Sequence, residues 1–565
     1  MIQAIKEFYN QYLKIENPFS HQIELWERIE ERKFPILLKA PTGSGKTEAV
    51  LAPFLKQFME NKFPIAPRLI YVLPMRVLVN SVAERIKTYA QNISPAISVK
   101  IHHGDIPNSP FFISDIIITT LDQFVYGFAR SSKQVSHHID LPAGAIASSL
   151  VVFDEAHLYR DEFTFSVMRA IMEILHESKI PFVVMTATIP ESLENSLFEN
   201  IGDYEKIESN LSISGKINWK IAKDPLYSNS EANLSTKILE NIKGKKTLII
   251  VNQVKRAQEI YKEVKKRLEL NESQIVLLHS RFTKIDRQEH EKKAISMIPH
   301  KENGKLIIPK NVGIVISTQV LEAGIDFSAE FLLTELAPAD ALIQRIGRCA
   351  RYSGETGEVV IFPVECKYGH RPYRKEHIEK TLKWLRKNSN FDFRDFDEIC
   401  RFVNETLDYK ANDYEASDTL IDLYECVLYA DQKPQNIQVR DGKPATILVV
   451  EPVLSEKKER KKENQLLYGI NNIYQKGGEI NDYSFEVDIK TAWAWFENKL
   501  IQYELIWVYD EKENNYKSQI KNLFDRGSTS PSEKDPRVGP FRTYIMEKVY
   551  YDSLIGVKND DSIFI

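Results

Sequence analysis

The chain of 565 residues is poor in cysteine and has no long apolar run, and each shortage excludes a class of protein. Four cysteines that lie far apart exclude a disulfide framework and indicate a reducing compartment. They are Cys349, Cys366, Cys400 and Cys426. No apolar run approaches membrane-spanning length, and the N-terminal segment lacks the apolar core and cleavage site of a signal peptide. These absences predict a cytoplasmic protein with no membrane partner.

The sequence also lacks an excess of positive charge. It has 75 lysines and arginines against 79 aspartates and glutamates, a net charge of -4. Nucleic acid, if it is bound, must therefore be held in a local channel rather than by a basic surface of the whole protein. The content of 43% hydrophobic and 27% charged residues is that of a globular protein, and the length suffices for about three or four domains.

Short apolar runs alternate with helical patterns in two successive sets, which indicates two parallel sheets covered on both faces. The first set is Ile36–Leu38, Leu69–Leu73, Ile116–Ile118, Leu150–Phe153 and Phe182–Met185. The second set is Thr247–Val251, Ile275–Leu278, Val312–Ile316, Phe331–Leu333 and Val359–Phe362. The sequence thus predicts an α/β fold with two tandem parallel-sheet domains, residues 1–210 and 211–365. Residues 366–565 are predicted to form a linker and a mixed accessory domain.

The segment from Ala40 to Thr47 has the strand–loop–helix context of a phosphate-binding loop. Glycines in the loop let backbone N–H groups turn toward phosphate oxygens, and the helix N-terminus adds to the attraction. Lys46 is predicted to reach the β- and γ-phosphates of ATP, and Thr47 to ligate Mg²⁺. The remaining predicted nucleotide-binding residues of the loop are Thr42, Gly43, Ser44 and Gly45. Ala40 stands where the motif usually has its first glycine, but the tight turn lies later.

Two adjacent acids and a histidine follow the apolar run Leu150–Phe153, in the sequence Asp-Glu-Ala-His. In a parallel sheet the carboxyl ends of the strands carry the ligand-binding residues. Asp154 is predicted to hold Mg²⁺, and Glu155 to orient and deprotonate the water that attacks the nucleotide. A polar cap after the strand is the structural alternative.

A second segment, Gln344 to Arg351, complements the phosphate-binding loop from about three hundred residues away. Arg348 and Arg351 are spaced so that they would share one face of a helix. They are predicted to neutralise charge on the transferring phosphoryl group, with Gln344 near the γ-phosphate. The two domains would then close on ATP and open after hydrolysis, as in a motor.

Further motifs, the first upstream of the phosphate-binding loop and the others between these two segments, resemble those of superfamily 2 helicases in their order. They are Gln22, Pro74-Met75-Arg76, Thr119 to Phe124, Thr186-Ala187-Thr188 and Ser317 to Asp326. The resemblance implies two RecA-like domains and an adenine contact from Gln22. It implies nucleic-acid backbone contacts from Arg76, Thr119, Thr120 and Thr318. It also implies that His157, Thr186, Thr188 and Asp326 couple the two sites, although Ser and Thr after a strand are ordinary capping residues.

Residues 41–49, 277–282 and 318–326 resemble the CRISPR-associated helicase of type I interference more closely. This resemblance implies ATP-driven translocation on single-stranded DNA, in the 3′-to-5′ direction, beside a crRNA-guided surveillance complex. It also implies that the region after residue 365 covers the DNA channel.

Many members of that family carry an N-terminal His-Asp nuclease, and this sequence departs from the arrangement. Only residues 1–35 precede the first apolar run, and the last histidine is His377. A His-Asp nuclease needs several imidazole ligands, and the His-His pairs at 102–103 and 137–138 lack partner histidines nearby. The sequence therefore predicts a helicase subunit whose nuclease is a separate chain.

Two other functions stay open at this point. One is a general DNA-repair or RNA helicase. The other is a recruitment subunit that uses ATP to clamp nucleic acid or a protein complex without net unwinding.

Overall fold

The computed structural model of the chain describes most of its residues. The described residues are 1–104, 106–159, 162–209, 211, 215–228, 231–302, 305–322, 327–365, 369–407, 417–429, 439, 444–454, 461–510, 515–524 and 537–558. Within these ranges, no helix is long and apolar enough to cross a membrane.

The first domain is built on one eight-stranded sheet. Its elements are α1 Ile2–Phe8, α2 Ser20–Glu30, β1 Ile36–Lys39, α3 Lys46–Glu60, β2 Arg68–Leu73, α4 Arg76–Ile93, β3 Val99–His103, β4 Ile106–Pro107, β5 Ile116–Thr120, α5 Leu121–Phe128, α6 Asp140–Ala147, β6 Ser149–Phe153, α7 Glu162–Glu177, β7 Phe182–Thr186, α8 Glu191–Phe198 and β8 Glu205–Glu208. The strand order is β4-β3-β5-β2-β6-β7-β1-β8, and the pairs are parallel except β3 with β4.

The alternation of side chains along each strand divides this domain into two cores. Leu37 of β1 points into one apolar cluster, while its neighbours Ile36 and Leu38 point into the other. Because helices cover both faces, the strands are buried along their length and read as continuous apolar runs. The five runs predicted as strands in this half of the chain are β1, β2, β5, β6 and β7.

The second domain repeats this architecture with a six-stranded, fully parallel sheet. Its elements are β9 Lys216–Ile221, β10 Tyr227–Ser228, β11 Glu231–Ala232, α9 Thr236–Ile242, β12 Thr247–Ile250, α10 Val254–Arg267, β13 Ile275–Leu278, α11 Lys284–Ile295, β14 His300–Glu302, β15 Lys305–Ile307, β16 Ile314–Ser317, β17 Phe331–Glu335, α12 Ala339–Ile346 and β18 Thr356–Phe362. The sheet order is β13-β16-β12-β17-β18-β9. The prediction of two tandem parallel-sheet domains is confirmed.

The chain after residue 365 forms helices and a mixed sheet. Its elements are α13 Lys375–Lys387, α14 Phe396–Thr406, α15 Ser417–Leu428, β19 Pro444–Val450, α16 Lys462–Gln475, β20 Ser484–Asp488, α17 Ile489–Glu497, β21 Ile501–Asp510, β22 Asn515–Asn522, β23 Thr543–Glu547, β24 Tyr551–Asp552 and β25 Gly556–Val557. The five-stranded sheet runs β20-β19-β23-β21-β22, with β19 and β23 parallel and the other pairs antiparallel. The mixed character predicted for this region is confirmed.

This last region packs on both α/β domains in turn. Helix α14 contributes Phe402 to the core of the second domain, whereas α15 contributes Leu423 to the core of the first. Asn404 of α14 also exchanges two hydrogen bonds with Glu191 of α8, at 2.9 and 3.0 Å. The mixed sheet, with the buried Trp495, then shares a core with the second domain.

The end of the described chain ties the mixed sheet to the second domain. The Gln258 side-chain amide donates to the carbonyls of Ile555 at 2.6 Å and Val557 at 2.9 Å. His279 lies 3.0 Å from the Ile555 carbonyl, and a side chain at Gly556 would clash with the His279 ring. The close approach of tail and ring therefore requires the glycine.

Candidate nucleotide site

The phosphate-binding loop connects β1 to α3, as its sequence predicts. Gly43 and Gly45 have φ angles of 84° and 77°, in the left-handed region that favours glycine. The ammonium of Lys46 lies over the loop and donates to the carbonyls of Ala40 at 3.0 Å and Pro41 at 3.3 Å. The loop therefore has its turned conformation, with the lysine at its mouth.

Two side chains of α2 hold consecutive carbonyls of this loop. The Gln22 amide donates to the Gly45 carbonyl at 3.0 Å and accepts from the Phe19 N–H at 2.8 Å. His21, which the sequence analysis did not single out, lies 3.1 Å from the Ser44 carbonyl through Nε2. Burial lowers the pKa of His21 to about 4, so the ring is neutral and donates to that carbonyl. The adenine contact of Gln22 stays a prediction, and the geometry places its side chain on the loop.

The hydroxyl group of Tyr71 contacts both predicted ligands of the cation, Thr47 and Asp154. Tyr71 of β2 donates to Asp154 Oδ2 at 2.6 Å and lies 3.1 Å from Thr47 Oγ1. Arg85 of α4 donates to the same Thr47 oxygen at 2.7 Å. The hydroxyl of Thr47 and the carboxylate of Asp154 therefore face a common space at the first turn of α3.

The two acids after β6 differ in their surroundings. Burial, together with the adjacent Glu155, raises the pKa of Asp154 to about 6, and its Oδ1 accepts from the Glu155 N–H at 2.8 Å. Glu155 has a φ of 54°, a left-handed conformation that is strained for a residue with a side chain. Its Oε2 atom is buried and has no hydrogen-bond partner among the described residues.

These residues fit a magnesium-bound triphosphate. Thr47 and Asp154 supply the hard oxygen ligands that Mg²⁺ prefers. Two buried oxygens, Ser44 Oγ in the loop and Glu155 Oε2, lack hydrogen bonds within the described chain, as expected of groups that await a ligand or a water. The assignment of these residues to ATP and Mg²⁺ stays a prediction that the donor set supports.

His157 connects the two domains at this site. Its Nδ1 lies 3.1 Å from Thr186 Oγ1 of β7, and its Nε2 lies 3.1 Å from the side-chain nitrogen of Gln344 in α12. The side-chain nitrogen of Gln344 can only donate, so with this contact His157 accepts at Nε2 and carries its proton on Nδ1. Thr186 in turn donates to the Thr188 carbonyl at 3.2 Å. The structure thus brings four predicted residues together, whereas Asp326 lies outside the described residues.

The prediction that Arg348 and Arg351 share one face of a helix is wrong. Helix α12 ends at Ile346 with Gly347 as its cap, and the following turn includes Ala350 at a φ of 43°. Both arginines therefore lie beyond the helix. Arg348 donates to the carbonyl of Leu321 at 3.1 Å and of Glu322 at 3.0 Å, and Arg351 donates to Gly347 at 3.4 Å. Their role toward the phosphate stays a prediction.

Arg345, which the sequence analysis passed over, is fully buried at the centre of the second domain. Its guanidinium donates to Glu322 Oε1 at 2.9 Å and to Asn252 Oδ1 at 2.9 Å. It also donates to Thr334 Oγ1, the Glu335 carbonyl and Tyr373 OH. Arg345 therefore joins Glu322, in the segment predicted to bind nucleic acid, to the helix that carries Gln344. The sequence signal that could have identified Arg345 is its position in the predicted segment, three residues before Arg348.

The residues predicted to contact nucleic acid differ in exposure. Arg76, at the start of α4, is 42% exposed in its side chain and lies 3.5 Å from Glu486 of β20. The side chains of Thr119, Thr120 and Thr318 are buried, and the Thr119 hydroxyl donates to the His102 carbonyl at 2.7 Å. The Thr119 hydroxyl is therefore already engaged within the domain in this conformation, and all four contacts stay predictions.

Two protein families match the chain. The DEAD/DEAH box helicase family matches residues 19–196, which include the phosphate-binding loop and the Asp-Glu-Ala-His segment. The family described as CRISPR-associated nuclease/helicase Cas3, C-terminal, matches residues 243–354, which include Gln344 to Arg351.

The chain is also similar to known proteins, to some in sequence and to others in fold. CRISPR-associated helicase Cas3 from Thermoproteus tenax is 32% identical over 388 residues, 66% of this chain and 63% of that protein. Cas3 of T. fusca with ATP has a TM-score of 0.63 at 18% identity, over 85% of this chain and 65% of that one. A chain of a CRISPR RNA-guided surveillance complex in a pre-nicking state has a TM-score of 0.57 at 16% identity, covering 95% and 70% of the two chains. The chain thus spans somewhat less than two thirds of the T. tenax protein.

The fold and the site together are similar to those of DEAD/DEAH box helicases. Two parallel-sheet domains meet at His157, with the phosphate-binding loop on one side and Gln344 on the other. Among the proteins of this kind, the chain is similar to the Cas3 helicases.

Proposed function

We propose that this chain is an ATP-driven translocase and helicase on single-stranded DNA, with 3′-to-5′ direction, in type I CRISPR interference. The observation that carries the proposal is the bridge from His157 to Thr186 in the first domain and to Gln344 in the second. This bridge lies beside the acids of the nucleotide site, so a change at the nucleotide can alter the contact between the domains. Such a coupled change is what a motor requires.

Hydrolysis follows from the groups around the loop. Lys46 leaves the carbonyls of Ala40 and Pro41 and neutralises the β- and γ-phosphates. Glu155 accepts the proton of the attacking water at Oε2, which is buried and lacks a hydrogen bond within the described residues. Arg348 neutralises charge on the transferring phosphoryl group after the domains close. Thr47 and Asp154 would hold Mg²⁺, which when bound would supply further neutralisation of the phosphate oxygens.

The DNA strand crosses the exposed side of the two domains in this proposal. Arg76 lies at the N-terminus of α4, where a phosphate gains from both the guanidinium and the helix end. Its neighbour Glu486 belongs to the mixed sheet, so the accessory region lies beside the proposed path. Backbone contacts of this kind position a strand without reading its sequence.

We propose two partners, a separate His-Asp nuclease and a crRNA-guided surveillance complex. The first continues the sequence-based prediction that the nuclease is a separate chain. The relatives named CRISPR-associated support the second, as does the fold shared with a chain of a surveillance complex. Copurification of a small His-Asp nuclease with the full chain is the expected result, and copurification of an RNA-processing complex would contradict the proposal.

ATPase rates measured with single-stranded DNA, with RNA and without polymer test the function directly. Stimulation by DNA alone supports the proposal. Preference for RNA would favour a general RNA helicase, and no stimulation would favour an ATP-gated recruitment subunit. Strand displacement from duplexes with a 3′ or a 5′ tail then measures direction, and only the 3′-tailed duplex is expected to unwind.

A further inference from the structure

Four side chains from four elements form a continuous hydrogen-bonded chain beneath the predicted magnesium site. Arg85 of α4 contacts Thr47 of α3 at 2.7 Å, and Thr47 contacts Tyr71 of β2 at 3.1 Å. Tyr71 contacts Asp154, just after β6, at 2.6 Å. Thr47 and Asp154 have roles predicted from the sequence, whereas Tyr71 and Arg85 have none.

The chemistry of these groups fixes the direction of every hydrogen bond. An ionised carboxylate only accepts, so the single proton of the Tyr71 hydroxyl goes to Asp154. Tyr71 is then an acceptor toward Thr47, and the single hydroxyl proton of Thr47 goes to Tyr71. A guanidinium only donates, so Arg85 donates to Thr47. The chain therefore runs in one direction, from Arg85 to Asp154, and each bond polarises the next.

This direction determines what Thr47 can offer to a cation. Its hydroxyl oxygen has two lone pairs, one of which accepts from Arg85, and its proton is turned away toward Tyr71. One lone pair therefore remains, and no proton competes with a cation for it. Without the Tyr71 oxygen, the hydroxyl proton of Thr47 could rotate into the cation site.

The sheet holds Tyr71 rigidly in this place. Tyr71 pairs with Val152 in the parallel register of β2 and β6, and the Asp154 N–H donates to the Val72 carbonyl at 3.0 Å. The ring is fully buried in the core on the α3 face of the sheet.

We propose that Tyr71 is a positioning residue of the magnesium–phosphate site, which sets the hydroxyl of Thr47 and the carboxylate of Asp154 in the orientation that a cation requires. Arg85 completes the arrangement and connects it to α4, the helix that begins at Arg76. The inference rests on the proposed function, because it concerns the same nucleotide site.

The test compares ADP affinity with Mg²⁺ and with EDTA in Tyr71→Phe, which removes one oxygen and keeps the ring. We expect the affinity in Mg²⁺ to fall by about tenfold, as for other partners of metal ligands. The affinity in EDTA should change by less than about twofold, because the phosphate contacts of the loop remain. Tyr9→Phe is the matched control, since Tyr9 is also buried and donates to the Glu48 carbonyl at 3.2 Å.

Equal losses in Mg²⁺ and in EDTA, or no loss in either, would overturn the inference. Arg85→Gln is a second variant at the exposed end of the chain, and it should also weaken only the Mg²⁺-dependent affinity. It keeps the test decisive if Tyr71→Phe melts far below the wild type. A wild-type protein that binds ADP equally well with and without Mg²⁺ would instead contradict the proposed function itself.

Discussion

The two domain faces that meet at His157 differ in how well their buried polar groups are hydrogen-bonded. On the first domain, Ser44 Oγ and Glu155 Oε2 are buried oxygens without hydrogen bonds among the described residues. On the second domain, Arg345 and Arg348 donate to acceptors of their own domain. An unsatisfied buried oxygen costs free energy until a ligand pairs with it, whereas a satisfied guanidinium must give up bonds to reach a ligand. In the proposed function, the first face is therefore shaped for nucleotide in advance, and the second must rearrange to take part.

Arg348→Ala is the change with the largest expected effect on this comparison. Loss of an arginine that neutralises the transferring phosphoryl group should lower the DNA-stimulated ATPase rate by about 10³ or more. ATP binding should persist, because the loop of the first domain is intact. Steady-state ATPase and equilibrium binding of ATP measure the two effects separately. Normal ATPase in a folded variant would show that Arg348 only braces the Leu321 and Glu322 carbonyls.

Arg345→Met tests the other arginine of the same segment and should act on stability instead. It leaves Glu322, a buried carboxylate, without the guanidinium that pairs with it at 2.9 Å. Breaking a buried ion pair in this way costs about 3 to 5 kcal/mol of unfolding free energy. Denaturant unfolding measures the loss, and Arg351→Gln at a half-buried position serves as the control. A stable Arg345→Met protein would mean that the second face is less tightly braced than its hydrogen bonds indicate.

The pH dependence of the unfolding free energy tests how His21 is bound in the first domain, beside the phosphate-binding loop. The pKa of His21 is lowered from 6.5 to about 4 by burial, so its contribution is present above pH 6.5 and is lost as pH falls toward 4. Between pH 7.5 and pH 5 this loss amounts to about 2 kcal/mol. His21→Gln should remove that part of the pH dependence. Urea unfolding at both pH values measures it, and an unchanged slope would show that His21 titrates normally.

The smallest expected effect concerns the ion pair between Arg76 and Glu486. Both side chains are about half exposed, so the pair itself contributes about 1 kcal/mol or less. Glu486→Gln should release Arg76 for DNA phosphate and strengthen single-stranded DNA binding by about threefold at low salt. Glu497→Gln, at an exposed position of α17 in the same region, is the control. Weaker binding in Glu486→Gln would place the DNA elsewhere.

Strands and glycine-rich turns were predictable because their causes are local. A strand buried on both faces must be apolar along its length, and the loop between β1 and α3 needs glycine at 43 and 45. The same reasoning placed Asp154 directly after a buried strand, where the structure has it. The contact partners of such residues could not be predicted, because Tyr71 and Arg345 look like ordinary core and surface residues until the sheets place them beside Thr47 and Glu322.

The end of α12 could not be predicted from the spacing of residues along the sequence. Spacing alone favoured a helix through Arg351, but Gly347 caps α12 and Ala350 is left-handed. Backbone bonds of Cys349 and Ala350 to neighbouring segments of the second domain hold the turn, and those segments are distant in sequence. The packing of α14 and α15 on two different domains could not be predicted either, because their contact partners are also distant in sequence.

The path of the chain after residue 365 has a practical consequence for dissecting the protein. A truncation at that residue would keep both parallel-sheet domains, yet it removes Phe402 from one apolar core and Leu423 from the other. It also takes away the backbone acceptors at Cys426 and Val427 that receive two hydrogen bonds from Arg130. Each shortened domain would expose a hydrophobic gap and aggregate more readily. Limited proteolysis within 365–444 should therefore leave fragments that stay associated, not domains that separate.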